Sequence, residues 1–237
     1  MPLITVITVC RNAASTIAAT IASVQEQDVP GLEHLVVDGG STDGTLDILR
    51  GHSDRLRYTS GPDGGIYDAM NRGIAQASGR WIHLLNADDR YVRPGILGEV
   101  MKRLDPHRLN YADICIEGPD GSRREERFDY RRWRLFISAY LPHPGMIVSR
   151  EQYARIGSYS TRYRIAADHD FILRATRVLG AHRIPMLLTV MRDGGLSARD
   201  PRRTFGEFAE VTAHHGLPSP LAWALLRLKL LRARRST

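Results

Sequence analysis

The 237-residue sequence predicts an α/β fold built on a mostly parallel sheet with helices on both faces. Two observations carry this. Over the first hundred residues, short apolar runs alternate with helix-like segments, and parallel pairing of such runs needs crossover connections. Polar or glycine-rich segments then follow three of these runs: Arg11-Asn12, "DGGSTDGT" (38–45) and Asn86-Ala87-Asp88-Asp89. Open α/β sheets bind ligands beyond the carboxyl ends of their strands, which is where these segments fall.

The elements follow in order. Leu3–Val9 is a β-branched run and reads as a strand. Ala14–Gln27 is helix-like, with Ile17, Ile21 and Val24 on one stripe. "EHLVVD" (33–38) is a second strand, Thr45–Gly51 a helix, and Leu56–Ser60 a short strand. Ile66–Gln76 is a helix and Trp81–Leu85 a buried strand. Beyond about 105 the alternation loosens. Ala112–Glu117 and Ser122–Phe128 flank "GPDG", a hairpin signal. Gly145–Ser149 reads as a strand followed by a helix over about 150–156; Asp168–Val178 is a helix and His182–Val190 a strand. Helices over about 202–214 and 219–234 close the chain. The expected organisation is one domain over 1–218, whose pattern changes at about 104–105, then a basic tail over 219–237.

Composition narrows the function classes. Two cysteines, Cys10 and Cys115, make no disulfide framework, and Cys10 sits in an apolar run, so a buried free thiol is expected. "MPLITVITVCRNA" has no basic segment or cleavage site of a secretory leader, and no run of about 18 apolar residues suggests a membrane span. A cytoplasmic location fits. The formal net charge of +7 favours anionic partners.

The polar strand ends each have a modest reading. Asn12 serves as a turn residue, Ser41, Thr42 or Asp43 caps a helix, and Asp88-Asp89 caps a helix near 94. Their convergence on one edge favours a ligand site instead. Two adjacent carboxylates at the end of a buried strand are costly without a cation. No GxxxxGK[ST] or GxGxxG is present. Asp88 with Asn86 or Asp89 offers hard oxygen ligands suited to Mg²⁺ or Mn²⁺. No Cys/His spacing points to zinc.

"TVITVCRNAASTIAATIASVQEQ", "LVVDGGSTDGT", "GPDGGIYDAMNRGIAQASGRWIHLLNADD" and "AADHDFILRA" together resemble glycosyltransferase family 2 over roughly residues 3–180. "GGIYDAMNRGI" with "LNADD" is most similar to the bacterial subgroup that builds exopolysaccharide, O-antigen or glycolipid glycans. The resemblance implies a GT-A fold: a Rossmann-like, mostly parallel central sheet flanked by helices, with C-terminal helices, a nucleotide-binding half over about 1–104 and an acceptor half over about 105–218. It implies that Asp38 contacts the base or ribose, that Asn12 lines the base pocket, and that Asp68 and Asn71 lie near the nucleotide. "NADD" stands for the family's DxD, so Asp88 would reach the metal, with Asn86 and Asp89 beside it. Asp168 falls where the family's catalytic base sits. Two departures stand out: Asp38-Gly39-Gly40-Ser41 has one carboxylate where the family often has two, and the DxD begins with the uncharged Asn86. At the base motif, Ala167-Asp168 replaces the commoner Glu-Asp.

The implied reaction is an inverting transfer from a UDP-, GDP- or dTDP-sugar to a hydroxyl of a glycan or lipid-linked acceptor. Such a transfer needs a neutralised leaving diphosphate, a general base and alignment of the reactants. Asp168 could instead cap its helix, and Asp170 is the second choice as base. His143 meets the diphosphate or acceptor, or is a turn histidine. Arg164 and Arg192 reach phosphate or form surface ion pairs. Tyr67 stacks near the base or packs in the core. The tail, with five basic residues from Arg227 on, lies on the inner face of an anionic membrane, packs on the domain or packs on a second subunit. Nucleic acid is not an expected partner. A sugar-phosphate nucleotidyltransferase and a non-catalytic nucleotide-sugar-binding protein are the alternatives; the first would want a glycine-rich loop where "CRNAAST" stands.

Overall fold

A computed structural model of the chain describes residues 3–137 and 141–218, together with 220, 221 and 224. The first half alternates as its pattern predicts: β1 (Ile4–Cys10), α1 (Ile17–Gln25), β2 (Leu32–Asp38), α2 (Thr45–Gly51), β3 (Arg57–Ser60), α3 (Ile66–Gln76) and β4 (Trp81–Leu84). The second half adds β5 (Arg90–Tyr91), α4 (Ile96–Met101), β6 (Leu109–Glu117) and β7 (Arg123–Glu126). Short 3-10 turns over Arg132–Phe136 and His143–Gly145 lead into β8 (Met146–Ser149), α5 (Arg150–Ile156) and α6 (Ala167–Leu179). β9 (Ala181–Arg192), α7 (Leu196–Arg199) and α8 (Pro201–His214) complete the described elements. The tail helix expected over 219–234 lies outside the described residues, apart from Pro220, Leu221 and Ala224.

The strands form one sheet in the order β3-β2-β1-β4-β8-β6-β9-β5, with β7 paired to β6. β1, β2, β3, β4, β6 and β9 run one way, and β5, β7 and β8 the other. β1 is buried at every position, as a central strand covered on both faces must be. Its alternate side chains enter two cores. Ile7 and Val9 pack with Tyr67 and Met70 of α3 and Phe171 of α6. Ile4 and Val6 pack with Val24 of α1 and Leu97 of α4 on the other face. Crossovers on both faces make the sheet doubly wound, which is the α/β architecture expected from the sequence.

Register decides what meets at the carboxyl edge. Cys10 pairs with Asp38, and Asp38 with Ser60, so three strands end level. Ile7 pairs with Leu84, which carries Asn86–Asp89 to the same edge. β8 runs against β4 with His83 opposite Ile147, so the His143–Gly145 turn before β8 arrives there too.

Two histidines are fully enclosed by this packing. His34 meets Thr8 Oγ1 at 3.0 Å, and His83 meets Tyr91 Oη at 2.7 Å and the Pro144 carbonyl at 3.0 Å. Burial pushes the pKa of each down to about 4. The unfolded chain therefore binds protons below pH 6.5 that the folded chain refuses until about 4. Stability falls as pH drops through this window, by roughly 3 kcal/mol per histidine at its floor. Thermal unfolding followed by circular dichroism should show the wild type losing more between pH 6.5 and 4 than His34→Gln. Parallel curves would show that His34 is not held neutral.

Candidate functional site

The turn after β2 is organised around one carboxylate. Asp38 is almost fully buried and accepts hydrogen bonds from the backbone N–H of Gly40 and Ser41 (3.0 Å each), from Ser60 Oγ (2.7 Å), from the Ser41 hydroxyl and from the Cys10 thiol. Burial works to raise its pKa, and these donors, Ser41 first, bring it below the usual value. The Cys10 thiol is pushed up by burial and then by the Asp38 charge, so the buried free thiol expected here is an inert one. Asp38 is thus turned into the loop rather than toward the open edge. Asn12 adopts a left-handed backbone (φ 52°). Its N–H donates to Ser41 Oγ at 2.7 Å and its Oδ1 accepts from Thr42 N–H at 2.9 Å, latching the β1 and β2 turns together.

The α3 motif residues are similarly engaged. Asp68 accepts from Gly64 N–H at 3.0 Å and pairs with Arg72 at 2.7 Å. Asn71 clamps the backbone of Tyr159, donating to its carbonyl (2.8 Å) and accepting from its N–H (2.9 Å). Tyr67 stacks on Tyr159 and donates its hydroxyl to the Ile165 carbonyl, so of its two expected roles it takes core packing. Asp63, which the sequence reading passed over, follows β3 on the same edge and is partly buried. Its Oδ1 accepts from Gly65 N–H at 2.9 Å, and a Cβ at position 39 would lie 2.3 Å from its Oδ2. Gly39 therefore leaves room for the Asp63 carboxylate. The place of Asp63 in "GPDGG", directly after the third strand, was the signal in the sequence.

Asn86–Asp89 does not cap a helix. The next helix, α4, begins after Gly95. Asp89 is buried, accepts from Arg192 N–H at 3.1 Å, and has its pKa raised to about 7, by burial first and then by the Asp88 charge. It ties the end of β9 to the motif. Asp88 is half-buried and lines an open cleft of about 260 Å³ with Thr16, Glu117 and Arg192. Arg164 is exposed in the segment before α6.

Across the edge stands Asp168, in the first turn of α6. The N-cap of that helix is Ala166, so capping is not its role. Asp170, two residues on, is spent on structure: it pairs with Arg174 and His215, both at 2.9 Å. Arg174 in turn donates to the Ile156 and Ser158 carbonyls. His143 bridges the two halves of the site. Its Nε2 meets Asn86 Nδ2 at 3.0 Å, and its Nδ1 lies 3.8 Å from Asp168 Oδ2. The turn carrying it is fixed from below, because the Pro144 carbonyl accepts from His83 and from Thr189 Oγ1 (3.0 Å each). Gly145 passes so close to β6 that a Cβ would lie 2.6 Å from the Ala112 carbonyl oxygen.

Comparison with known proteins identifies the scaffold. Residues 5–165 match the model of glycosyl transferase family 2. The chain belongs to glycosyltransferase family 2. That match contains every predicted site residue except Asp168. An uncharacterised glycosyltransferase of Mycobacterium tuberculosis is 33% identical over 90% of this chain and 84% of its own length. A PGL/p-HBAD biosynthesis glycosyltransferase of Mycobacterium bovis is 34% identical over 73% of this chain and 69% of its own. Among solved structures, residues 1–349 of S. aureus TarS with UDP-GlcNAc superpose with a TM-score of 0.71 at 20% identity, covering 97% of this chain and 72% of that one. The Pyrobaculum calidifontis mannosyltransferase PcManGT with GDP-Man and Mn²⁺ gives 0.66 at 20% identity, covering 100% and 76%. The fold is therefore the GT-A fold of nucleotide-sugar enzymes, and the chain is a glycosyltransferase.

The donor set of this family 2 enzyme can be tested against a divalent cation. Asn86 Oδ1 is buried without a hydrogen-bond partner among the described residues, an unusual state for an amide oxygen. Asp88 lies two residues on with a half-open carboxylate. Among the described residues, no group of three or more His, Cys, Asp or Glu side chains is arranged to hold a metal alone. The oxygens of Asn86 and Asp88 fit Mg²⁺ or Mn²⁺, which take one or two protein oxygens and share the rest with water and substrate phosphate.

The two aspartates of α6 should separate cleanly. Asp170→Asn breaks a buried ion pair and should cost about 3–5 kcal/mol of unfolding free energy. Asp168→Asn, at a partly exposed position, should cost less than about 1 kcal/mol. Urea unfolding measures both; equal losses would contradict this division.

Proposed function

We propose that this glycosyltransferase is an inverting, metal-assisted enzyme. It moves a sugar from a nucleotide-diphosphate donor to a hydroxyl of a glycan or glycolipid acceptor. One observation carries the reading: His143 joins Asn86 of the NADD motif to Asp168, at 3.0 and 3.8 Å, on the edge where the strands end. Asn86, His143 and Asp168 thus form one contiguous polar group, two residues along the chain from the Asp88 that lines the cleft.

Asp88 and Asn86 Oδ1 would hold the cation. Bound Mn²⁺ or Mg²⁺ supplies neutralisation of the diphosphate as it leaves. Asp168 accepts the proton of the attacking acceptor hydroxyl, a contribution typically worth about 10²–10⁴-fold. Asp63, beside Gly39, faces the base, while Asp38, Asn12, Asp68 and Asn71 hold the loops and helix that shape the pocket. Arg192, beside Asp88, offers a positive charge to phosphate. Related names point the same way: the TarS structure carries UDP-GlcNAc, PcManGT carries GDP-Man with Mn²⁺, and the mycobacterial relative acts in PGL/p-HBAD biosynthesis. No helix among the described residues is long and apolar enough to cross a membrane. With a lipid-linked acceptor, the basic residues from Arg227 on would face anionic headgroups on the inner face of the cytoplasmic membrane.

The test is nucleotide release from UDP-, GDP- and dTDP-sugars with Mn²⁺, with and without acceptor. One donor class should react, faster with acceptor, and chelation should stop it. Silence from every donor would sink the reading. Proton NMR of the product should show an inverted anomeric centre. Asp168→Asn should lower transfer by about 10²–10⁴-fold while donor affinity stays within a few-fold. Unchanged turnover would remove Asp168 as base. Gly39→Ala should displace Asp63 and weaken nucleotide binding about tenfold, roughly 1.4 kcal/mol, as calorimetry would register. Wild-type affinity would remove Asp63 from the base side.

A further inference from the structure

Asparagine is an ambiguous replacement for the first aspartate of a metal motif. A carboxylate presents oxygen on both sides, so its orientation does not matter. An amide presents oxygen on one side and an N–H₂ group on the other, and a cation accepts only the first. Something must choose between the two orientations. At Asn86 two neighbours can act on the choice: the Asp89 carboxyl, which the Asn86 side chain also meets, and His143, which stands against Nδ2 at 3.0 Å.

The choice follows from donors and acceptors. His143 Nδ1 lies 3.8 Å from Asp168 Oδ2, and its Nε2 lies 3.0 Å from the Asn86 amide. Asp168 favours the tautomer with the hydrogen on Nδ1, facing its carboxylate. Nε2 is then a lone pair, and only the N–H₂ end of Asn86 can face it. The carbonyl oxygen is left pointing away, buried and without a hydrogen-bond partner among the described residues. The ring cannot easily drift, because the next residue's carbonyl is held by His83 and Thr189. Replacing Asn86 Nδ2 with its oxygen against Nε2 would set two acceptors face to face.

We propose that His143 is a positioning residue that locks the Asn86 amide with its oxygen toward the cation site, on an instruction that originates at Asp168. The uncharged first position of the motif is thereby made to work as an oxygen ligand. This rests on the metal-dependent reading above.

The test is Mn²⁺ binding by the full chain, followed by the free-Mn²⁺ electron paramagnetic resonance signal with UDP or GDP present. Outer-shell partners of metal ligands commonly control affinity by about 10–100-fold. His143→Ala and His143→Leu should weaken Mn²⁺ binding at least tenfold. His143→Gln, whose amide oxygen can accept from Asn86, should recover most of it. In the Asn86→Asp background, where the ligand is symmetric, His143→Ala should change affinity by less than about twofold. Leu is included so that the comparison survives if the alanine variant fails to fold. Equal losses in both backgrounds, or no loss in the wild-type background, would overturn the lock and leave metal dependence standing. A wild type that binds no Mn²⁺ with either nucleotide would instead strike the metal-dependent reading.

Discussion

The constraint on which this structure depends is electrostatic. In-register parallel pairing ends several strands level, and five carboxylates, Asp38, Asp63, Asp88, Asp89 and Asp168, come to one edge of the sheet. Like charges gathered in partly desolvated surroundings repel one another, and each must be met or left for a ligand. The molecule meets them differently. Asp38 is saturated by loop N–H groups and hydroxyls. Asp89 is raised to about 7, so near neutrality its burial is relieved in part by protonation, and Arg192 N–H supplies one bond. Asp168 sits in the first turn of a thirteen-residue helix, whose N-terminus favours negative charge, with His143 at its flank. Asp88 is left half-open on the cleft.

That distribution separates holding from acting. Residues whose hydrogen-bonding capacity is filled from within, such as Asn71 on Tyr159 and Asp170 between Arg174 and His215, shape the site without facing it. The groups left with unfilled capacity are those that a diphosphate, a cation or an acceptor hydroxyl would satisfy. The buried layer beneath does related work. His83, kept neutral, can accept from Tyr91 and donate to Pro144, which a charged ring could not do. The NADD strand, β5 and the His143 turn are thereby fastened to one another.

Most of the fold was legible because its signals are local. The segments of β2, α2 and α3 follow directly from β-branched runs, glycine punctuation and apolar stripes. The two-residue β5 and the 3-10 turns were not read, since they exist through pairing with β9 and packing against α6 and β6 rather than through any pattern of their own. At the proposed site, Asp88 and Asp89 were named from their place at a strand end and Asp168 from the family resemblance. Asp63 was missed, because what makes it notable is its fit against Gly39, twenty-four positions earlier in the chain.

By itself, the sequence determined the α/β class, the family and the polar segments at the strand ends. These depend on periodicity and on short motifs, which survive reading in one dimension. Only the tertiary structure decided which of those residues have their hydrogen-bonding capacity filled from within. Asn86, His143 and Asp168 are 57 and 25 positions apart in the chain and become neighbours only because β8 runs antiparallel beside β4 and α6 begins behind it. Hydrogen-bond capacity is spent in three dimensions, so whether a polar side chain shapes the site or serves it is settled by its neighbours across the fold.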